Sequence, residues 1–469
     1  MEMLTYSLQP GSKTPLYHQL YSFIKTDIQS NLITCNTKLP SKRKLSAYLS
    51  VSQNTIQAAY DQLIEEGYLI SIEKKGFFVS KIDYLHKLDA PQPNMVPNKQ
   101  PSPAVVDYDF SYHGVDLPTF PYSIWRKLMK EVINEYDAEL LQMSDSLGFH
   151  QLRSVIAQYL HQSRGVNCTD NQIVISSGTE ILFQSLIQLF PKESIYGIEN
   201  PGYEKLNQLF TSNRANFRAI RINHSGMMQE AIDKYNANIL CITPAHQFPS
   251  GEVMPISRRI QLLNWANETE NRYLIEDDYD SEFKYSGKPI PALQGLDRNE
   301  KVIYMGSLSK SLAPTIRVSY MVLPPHLMTE YNERLSYILC PVPMMEQKVL
   351  YRFIKEGYFE RHLNKMRNIY KKKRELLVDA LNDLNCGIEV LGADAGLHLL
   401  LHIPNHMTEE QLISSALSVS VKVYGISKYY VDIPYIPVTT SLPTILLGYA
   451  AMSENDIIKA VQLLHQAWF

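Results

Sequence analysis

At 469 residues the chain is longer than the roughly 250–300 residues at which single cores stop growing, and its 45% hydrophobic and 20% charged residues are ordinary globular values. A formal net charge of −3 favours neither nucleic acid nor an acidic ligand as partner of the chain as a whole, and five scattered cysteines (Cys35, Cys168, Cys241, Cys340, Cys386) without a CxxC pair argue against a disulfide framework or a structural zinc site. With no leader-like opening and no apolar run able to span a bilayer, the expectation is a cytoplasmic protein with no metal and no membrane partner.

Charge is uneven along the chain. Residues 1–80 carry eight Lys/Arg against six Asp/Glu, so this head is net positive and the remainder net negative. Pro15 to Ser30 sets Leu16, Leu20, Phe23, Ile24 and Ile28 at helical spacing on one face. Ser41 can cap a second helix over Lys42–Leu49. After the turn Ser50-Val51-Ser52 comes a third helix, from about Gln53 to Glu66, with Ile56, Ala59, Tyr60 and Leu63 on its inner face and a stop at Gly67. Tyr68 to Ile72 and Gly76 to Val79 read as a hairpin.

Two short helices joined by a tight turn, the second exposing Gln53, Asn54, Thr55 and Gln57 near its start, fit a recognition helix in a major groove. Amide side chains can bond a base edge at two points, and the cluster Lys38, Lys42, Arg43 and Lys44 can neutralise phosphates. Periodicity alone fits a small helical interaction module as well. The residues separate the two: Leu39-Pro40-Ser41-Lys42-Arg43-Lys44-Leu45, Val51-Ser52-Gln53-Asn54-Thr55-Ile56 and Glu66-Gly67-Tyr68-Leu69 together resemble the DNA-binding domain of the GntR family. The resemblance implies a winged helix-turn-helix. Ser41, Lys42, Arg43, Ser52, Gln53, Asn54, Thr55 and Gln57 would meet DNA, with Lys75 and Gly76 in the wing. Gln53 stands where the family usually has Arg.

Residues 81–106 are the expected linker. From about Leu88 to Val105 they hold Pro91, Pro93, Pro97, Pro101 and Pro103, whose fixed φ and missing donors suit neither a helix interior nor a sheet. From Asp107 to Phe469, apolar runs alternate with helical patterns: Gln172–Ile175 before Gly178, Ile195–Ile198 before Pro201, Ile239–Ile242 before Pro244. That alternation predicts an α/β domain on a mainly parallel sheet.

Two more apolar runs end in chemistry-bearing residues. Tyr273-Leu274-Ile275 leads into Glu276-Asp277-Asp278-Tyr279, and Val302–Met305 into Gly306-Ser307-Leu308-Ser309-Lys310. Each reads as a buried parallel strand. A lysine able to form a Schiff base and a carboxylate able to keep a pyridine nitrogen protonated describe a pyridoxal 5'-phosphate (PLP) site, with Lys310 and Asp277 in those roles. Asp278 is a rival, since acids at strand ends often cap the next helix. Ser176-Ser177-Gly178-Thr179-Glu180 follows a strand and opens a helix, where backbone amides and the helix dipole can hold a phosphate.

With Glu199-Asn200-Pro201-Gly202-Tyr203 and Arg317, these segments resemble aminotransferases of PLP fold type I from Tyr159 onward. The resemblance implies a large domain and a smaller C-terminal α+β subdomain over about 335–469. It favours Asp277 over Asp278, because Asp277-x-Tyr279 is the spacing that puts both side chains on one side of a strand. By the same resemblance Tyr203 stacks on the cofactor ring and Tyr279 reaches its phenolic oxygen. Gly178, Thr179, Ser307 and Arg317 cradle the phosphate, and Ser177 and Ser309 belong to the same cofactor-binding set.

Head, linker and body, with Thr243–Gly251 and Ser257–Ile260, together resemble the MocR subgroup of GntR regulators over essentially the whole chain. The implied assembly is a domain-swapped, head-to-tail homodimer whose body senses an effector and whose two heads read paired half-sites of a double-stranded DNA operator. Three departures bear on the effector. GABA-sensing members have an Arg after a Gly-aromatic-Ala triplet, where Gly448-Tyr449-Ala450 is here followed by Ala451. Lys205 replaces a second Arg, and Phe248 stands where active aminotransferases have an Asn. Arg214 or Lys428 could hold a carboxylate instead. The departures point to a regulator, not an enzyme, with PLP itself as effector and vitamin B6 synthesis genes as targets, as in PdxR-type members. Three readings stay open beside it: an amino-acid sensor using bound PLP, an active aminotransferase with a vestigial head, and a PLP-binding dimer without effector response.

Overall fold

The computed structural model describes residues 4–81, 106–134, 138–285, 290–431 and 443–469. Nearly all of the expected linker, residues 82–105, lies outside them. The chain divides into two compact units, Met1–Pro103 and Ala104–Phe469. Among the described residues, no helix is long and apolar enough to cross a membrane.

In the first unit, helices α1 (Leu16–Gln29), α2 (Lys42–Leu49) and α3 (Gln53–Glu65) precede a hairpin of β1 (Leu69–Ile72) and β2 (Gly76–Val79). Serines start both short helices: Ser41 Oγ accepts from the Lys44 amide and Ser52 Oγ from the Thr55 amide, each satisfying a donor that has no partner within the helix. The stop at Gly67 has a clear cause. With φ at +80° it lets the Gly67 and Tyr68 amides turn back onto the Ile64 and Leu63 carbonyls, at 2.9 and 2.8 Å, a left-handed closure that costs other residues more. Leu20, Ile24, Ile28, Leu45, Ile56, Ala59, Tyr60 and Leu63 form the core with Leu69 and Val79. Phe23 departs from the expected inner face. It is 41% exposed and stacks on Tyr6, with ring centroids 5.3 Å apart, because the buried face is set by Leu20, Tyr21, Ile24 and Ile28 and helical periodicity turns Phe23 away from it.

The second unit opens with the short β3 (Tyr108–Asp109) and helices α4 (Tyr122–Asn134) and α5 (His150–Arg164). An eight-stranded sheet follows, built from β4 (Ile173–Ser176), β5 (Ile195–Asn200), β6 (Asn216–Asn223), β7 (Gly226–Met227), β8 (Ile239–Ile242), β9 (Tyr273–Asp278), β10 (Val302–Ser307) and β11 (Ser319–Val322). Their spatial order is β4-β11-β10-β9-β8-β5-β6-β7. Strands β10, β9, β8, β5 and β6 run parallel, while β11 lies antiparallel between β4 and β10, and β7 pairs antiparallel with β6. A smaller antiparallel sheet near the C-terminus takes the order β12 (Glu389–Leu391), β13 (His398–His402), β16 (Thr444–Gly448), β15 (Tyr424–Gly425), and β14 (Val421–Lys422) pairs parallel with β3.

The period of two along β9 sorts its residues between the sheet faces. Ile275 joins the cluster around Phe183, Leu186 and Phe210, whereas Leu274 joins the one around Leu262, Trp265 and Ala266. Glu276 and Asp278 follow Leu274. Glu276 accepts the Leu293 and Gln294 amides, and Asp278 accepts Arg164 Nε at 2.8 Å and the Tyr304 hydroxyl at 2.6 Å. Asp278 therefore caps no helix: it pairs with an arginine as buried as itself, both 5% exposed or less. Removing one member of such a pair leaves the other charge uncompensated in the interior. Arg164→Met should destabilise this unit by about 3–5 kcal/mol, read as a lowered midpoint of its unfolding transition in urea.

Candidate functional site

A cavity of about 300 Å³ opens at the carboxyl ends of the parallel strands, where α/β sheets place ligands. Asp277, Tyr279 and Asp280 reach it from the end of β9, and Ser307, Ser309 and Lys310 from the end of β10. Tyr203 enters after β5, Phe248 after β8, Thr179 and Glu180 from the first turn of α6 (Thr179–Leu189), and Arg317 from the turn before β11. Eight of the ten expected cofactor residues thus line one cavity. Gly178 borders it without being part of the lining: a Cβ there would stand 2.1 Å from Arg317 Nη2, so the missing side chain is the space the guanidinium uses. Ser177 is not among the lining residues.

Asp277 is buried, and its Oδ1 has no hydrogen-bond partner. Burial, with the neighbouring Asp278 and Glu199 adding to it, pushes its carboxyl up to about 7. Glu199 is pushed to about 7 as well, chiefly by burial; Thr243 bonds one of its oxygens and the other is unpartnered. A cationic N–H facing Asp277 would relieve this unpaired carboxyl and hold it ionised. Lys310 donates to the Tyr112 backbone carbonyl, and burial lowers its amine to about 8, opposed by Asp280. A partly neutral amine is the form that attacks an aldehyde.

Arg317 is not idle. Its Nη2 lies 2.7 Å from Glu180 Oε2, while Lys205 approaches the other Glu180 oxygen at 3.8 Å. Ser309 Oγ is buried without a partner. Further lining residues escaped the sequence reading, namely Tyr112, His113, Thr243, Asp280, Pro314, Ser319, Leu397 and His398. Asp280 sits one residue from a recognised motif and could have been suspected. Tyr112 and His398 are distant in sequence from the recognised motifs, and no local pattern marks them.

Beside the cavity, His246 Nδ1 lies 2.9 and 3.1 Å from the Asp280 oxygens and 3.0 Å from the Tyr279 hydroxyl. His398 Nε2 meets the Pro249 carbonyl at 3.1 Å. Phe248 packs among Tyr112, Tyr203, Tyr279, Tyr429 and His398, at centroid distances of 4.9–6.4 Å. Of the two cations that could replace a missing arginine, Arg214 is exposed and not among the lining residues. Lys428 covers the Tyr112, Tyr424 and Tyr429 rings at 4.8–5.7 Å.

In the first unit Ser41, Arg43, Ser52, Gln53, Asn54 and Lys75 are exposed, as the DNA reading requires, while Lys42, Thr55 and Gly76 are half-buried. Gln57 is also half-buried and already engaged: its amide meets Lys42 and Asp61. A base contact by Gln57 must displace those partners.

Residues 118–463 match the family described as "Aminotransferase class I and II", and residues 16–79 match "Bacterial regulatory proteins, gntR family". YdeL of Bacillus subtilis (strain 168), an uncharacterized HTH-type transcriptional regulator, is 40% identical over 456 residues, 97% of each chain. The probable rhizopine catabolism regulatory protein MocR of Rhizobium meliloti is 28% identical over 98% of this chain and 95% of its own. The chain belongs to the MocR-type subgroup of the GntR regulators. The pyridoxine biosynthesis transcriptional regulator PdxR of Corynebacterium glutamicum is 29% identical, covering 89% of this chain and 90% of its own. Among solved structures, kynurenine aminotransferase of Pyrococcus horikoshii superposes on the body with a TM-score of 0.68 at 24% identity, over 78% of this chain and 91% of that one, a likeness of fold.

The aminotransferase fold of this MocR-type chain implies PLP binding, and the cavity suits it. An unpaired buried carboxyl, an unpaired buried hydroxyl, an amine of lowered basicity and an arginine beside a glycine are the donor set PLP needs. Competitive acetylation of cofactor-free protein, read by mass spectrometry of the Lys310 peptide, should titrate with a midpoint near pH 8. Surface lysines should titrate near their usual value of about 10.4.

Proposed function

We propose that this regulator senses PLP itself and controls genes of vitamin B6 synthesis, with a homodimer presenting two heads to paired half-sites. PLP, when bound, supplies an aldehyde that condenses with an amine and a pyridine ring that accepts electrons. Lys310 would provide the amine, Asp277 the carboxylate against the ring nitrogen, and Tyr203 a face for the ring. Ser307, Ser309, Thr179 and Arg317 would hold the phosphate, with Ser177 and Gly178 shaping that turn. The body would act as a sensor, not as an enzyme.

The observation that carries the reading is the lack of a second carboxylate clamp. Arg317 is the one arginine among the described lining residues. Lys205 leans on Glu180 and lies 6.0 Å from the centre of the Tyr203 ring. Ala451 offers no charge, and its Cβ stands 2.5 Å from where a Cβ on Gly114 would be. Each lost fork-to-carboxylate bond costs a ligand about 1.5–3 kcal/mol, roughly ten- to a hundred-fold in affinity, so a small amino acid would be poorly held. The resemblance to PdxR, whose name records pyridoxine biosynthesis, supports the same choice. A switch also needs different contacts in its two states. Arg317 supports this, since it would exchange Glu180 for a phosphate.

Titrating cofactor-free protein on its own promoter DNA with PLP alone should change DNA affinity, and adding amino acids, GABA included, should change it little further. If PLP did nothing until one amino acid was present, the amino-acid-sensor reading would replace this one. Lys310→Ala should lose the visible absorbance of the loaded protein while holding some PLP through the phosphate site. On the DNA side, Arg43→Ala should weaken promoter binding by about 1–3 kcal/mol if it touches a base edge, measured by anisotropy at fixed salt.

A further inference from the structure

His246 is 2% exposed, and its two ring nitrogens have different surroundings. Nδ1 sits between the Asp280 carboxylate and the Tyr279 hydroxyl, whereas Nε2 is buried with no partner. An ionised carboxylate only accepts hydrogen bonds. The contacts at 2.9 and 3.1 Å therefore require a proton on Nδ1, donated to Asp280. With that proton in place, Nδ1 has no lone pair to offer Tyr279. The tyrosine oxygen can share the Nδ1 proton as an acceptor, but its own O–H must find an acceptor elsewhere.

The surroundings narrow where. Phe248 meets the Tyr279 ring at 6.4 Å and 84° and offers nothing polar. His398 brings no competing tautomer, because its Nε2 is spent on the Pro249 carbonyl. Tyr279 lines the cavity together with Asp277 and Lys310. Charges close to the network are those of Asp277, Asp278, Glu199 and Lys310.

We propose that Asp280 and His246 are a positioning pair. By fixing His246 in its Nδ1–H tautomer they commit the Tyr279 proton to the cavity, toward an anionic oxygen of the ligand held there. This rests on the PLP reading, in which that oxygen is the phenolate of the cofactor ring. Neither residue touches the ligand oxygen; each acts through Tyr279.

A double-mutant cycle on the PLP-loaded, full-length protein tests it, reading the pH at which the visible band of bound PLP changes. Tyr279→Phe removes the donor, leaves the phenolate more basic and should raise that midpoint by about one pH unit. Asp280→Asn replaces an acceptor by an amide that can donate to Nδ1, imposing the other tautomer. Nδ1 then presents a lone pair for which the Tyr279 O–H competes with the new amide, so the tyrosine proton is no longer committed to the cavity. The substitution also removes a negative charge near Lys310, which lowers the midpoint. The cycle separates the two effects, because only the charge effect survives in the Tyr279→Phe background. The expected result is that the Asp280→Asn shifts in the two backgrounds differ in the direction of the Tyr279→Phe shift and by no more than its size, and that Asp280→Glu behaves as the parent. Equal Asp280→Asn shifts in both backgrounds, or no effect of Tyr279→Phe, would overturn the proposal and leave PLP binding untouched. A parent protein that takes up no PLP would instead sink the functional reading, and this one with it. If Asp280→Asn does not fold, ¹⁵N-histidine labelling of the parent decides: protonation of His246 at Nδ1 upholds the pair, and protonation at Nε2 alone overturns it.

Discussion

Three consecutive carboxyls, Glu276, Asp277 and Asp278, are buried at the end of one central strand. Burying a carboxyl is costly unless it is bonded, and the strand handles the three unequally. Pleating sends Glu276 and Asp278 to the face where two backbone amides, Arg164 and Tyr304 meet them. Asp277, turned the other way, receives no partner at Oδ1. The protein thus stabilises two acids to fix the strand and leaves the third exposed to whatever enters the cavity. Lys310, Tyr203 and Ser309 stand around the same cavity as this unpaired carboxyl.

Much of this was legible in the sequence. The apolar runs marked the strands, and the chemistry-bearing residues sat at their ends, because a parallel sheet must place its functional loops at the carboxyl edge. In the head, Ser41, Ser52 and Gly67 marked helix ends through local chemistry that needs no tertiary information. What could not be read was whatever depends on distant chain segments. Tyr112 reaches the cavity from the start of the second unit and His398 from the smaller sheet, and no spacing rule connects either to Lys310. The partnership of Asp278 with Arg164 spans more than a hundred residues, so Asp278 read locally as a cap. Phe23 was misplaced for the opposite reason: its local pattern was apolar, but Tyr21 and not Phe23 completes the buried face of the helix.

Phe248 and the tyrosines about it form an aromatic wall on one side of a cavity whose other lining residues are largely polar. Tyr203, Tyr279 and Tyr429 meet Phe248 edge to face, Tyr112 meets Tyr429 in the same way, and Tyr112 is tilted against Phe248, geometries that aromatic pairs favour. Lys428 covers the Tyr112, Tyr424 and Tyr429 rings with its charged end. Within the PLP reading, such a wall would suit a planar guest better than a small flexible one.

The contact between Arg317 and Glu180 also sets a threshold. If Arg317 holds the phosphate, as proposed, the Glu180 carboxylate beside it would be a tethered competitor, present at constant effective concentration. The apparent affinity of any phosphate ligand is then its intrinsic affinity multiplied by the fraction of molecules in which the arginine is free. Within the PLP reading, a ligand phosphate would have to draw Arg317 away from Glu180, and the strength of that one ion pair would then shift the concentration at which the site fills.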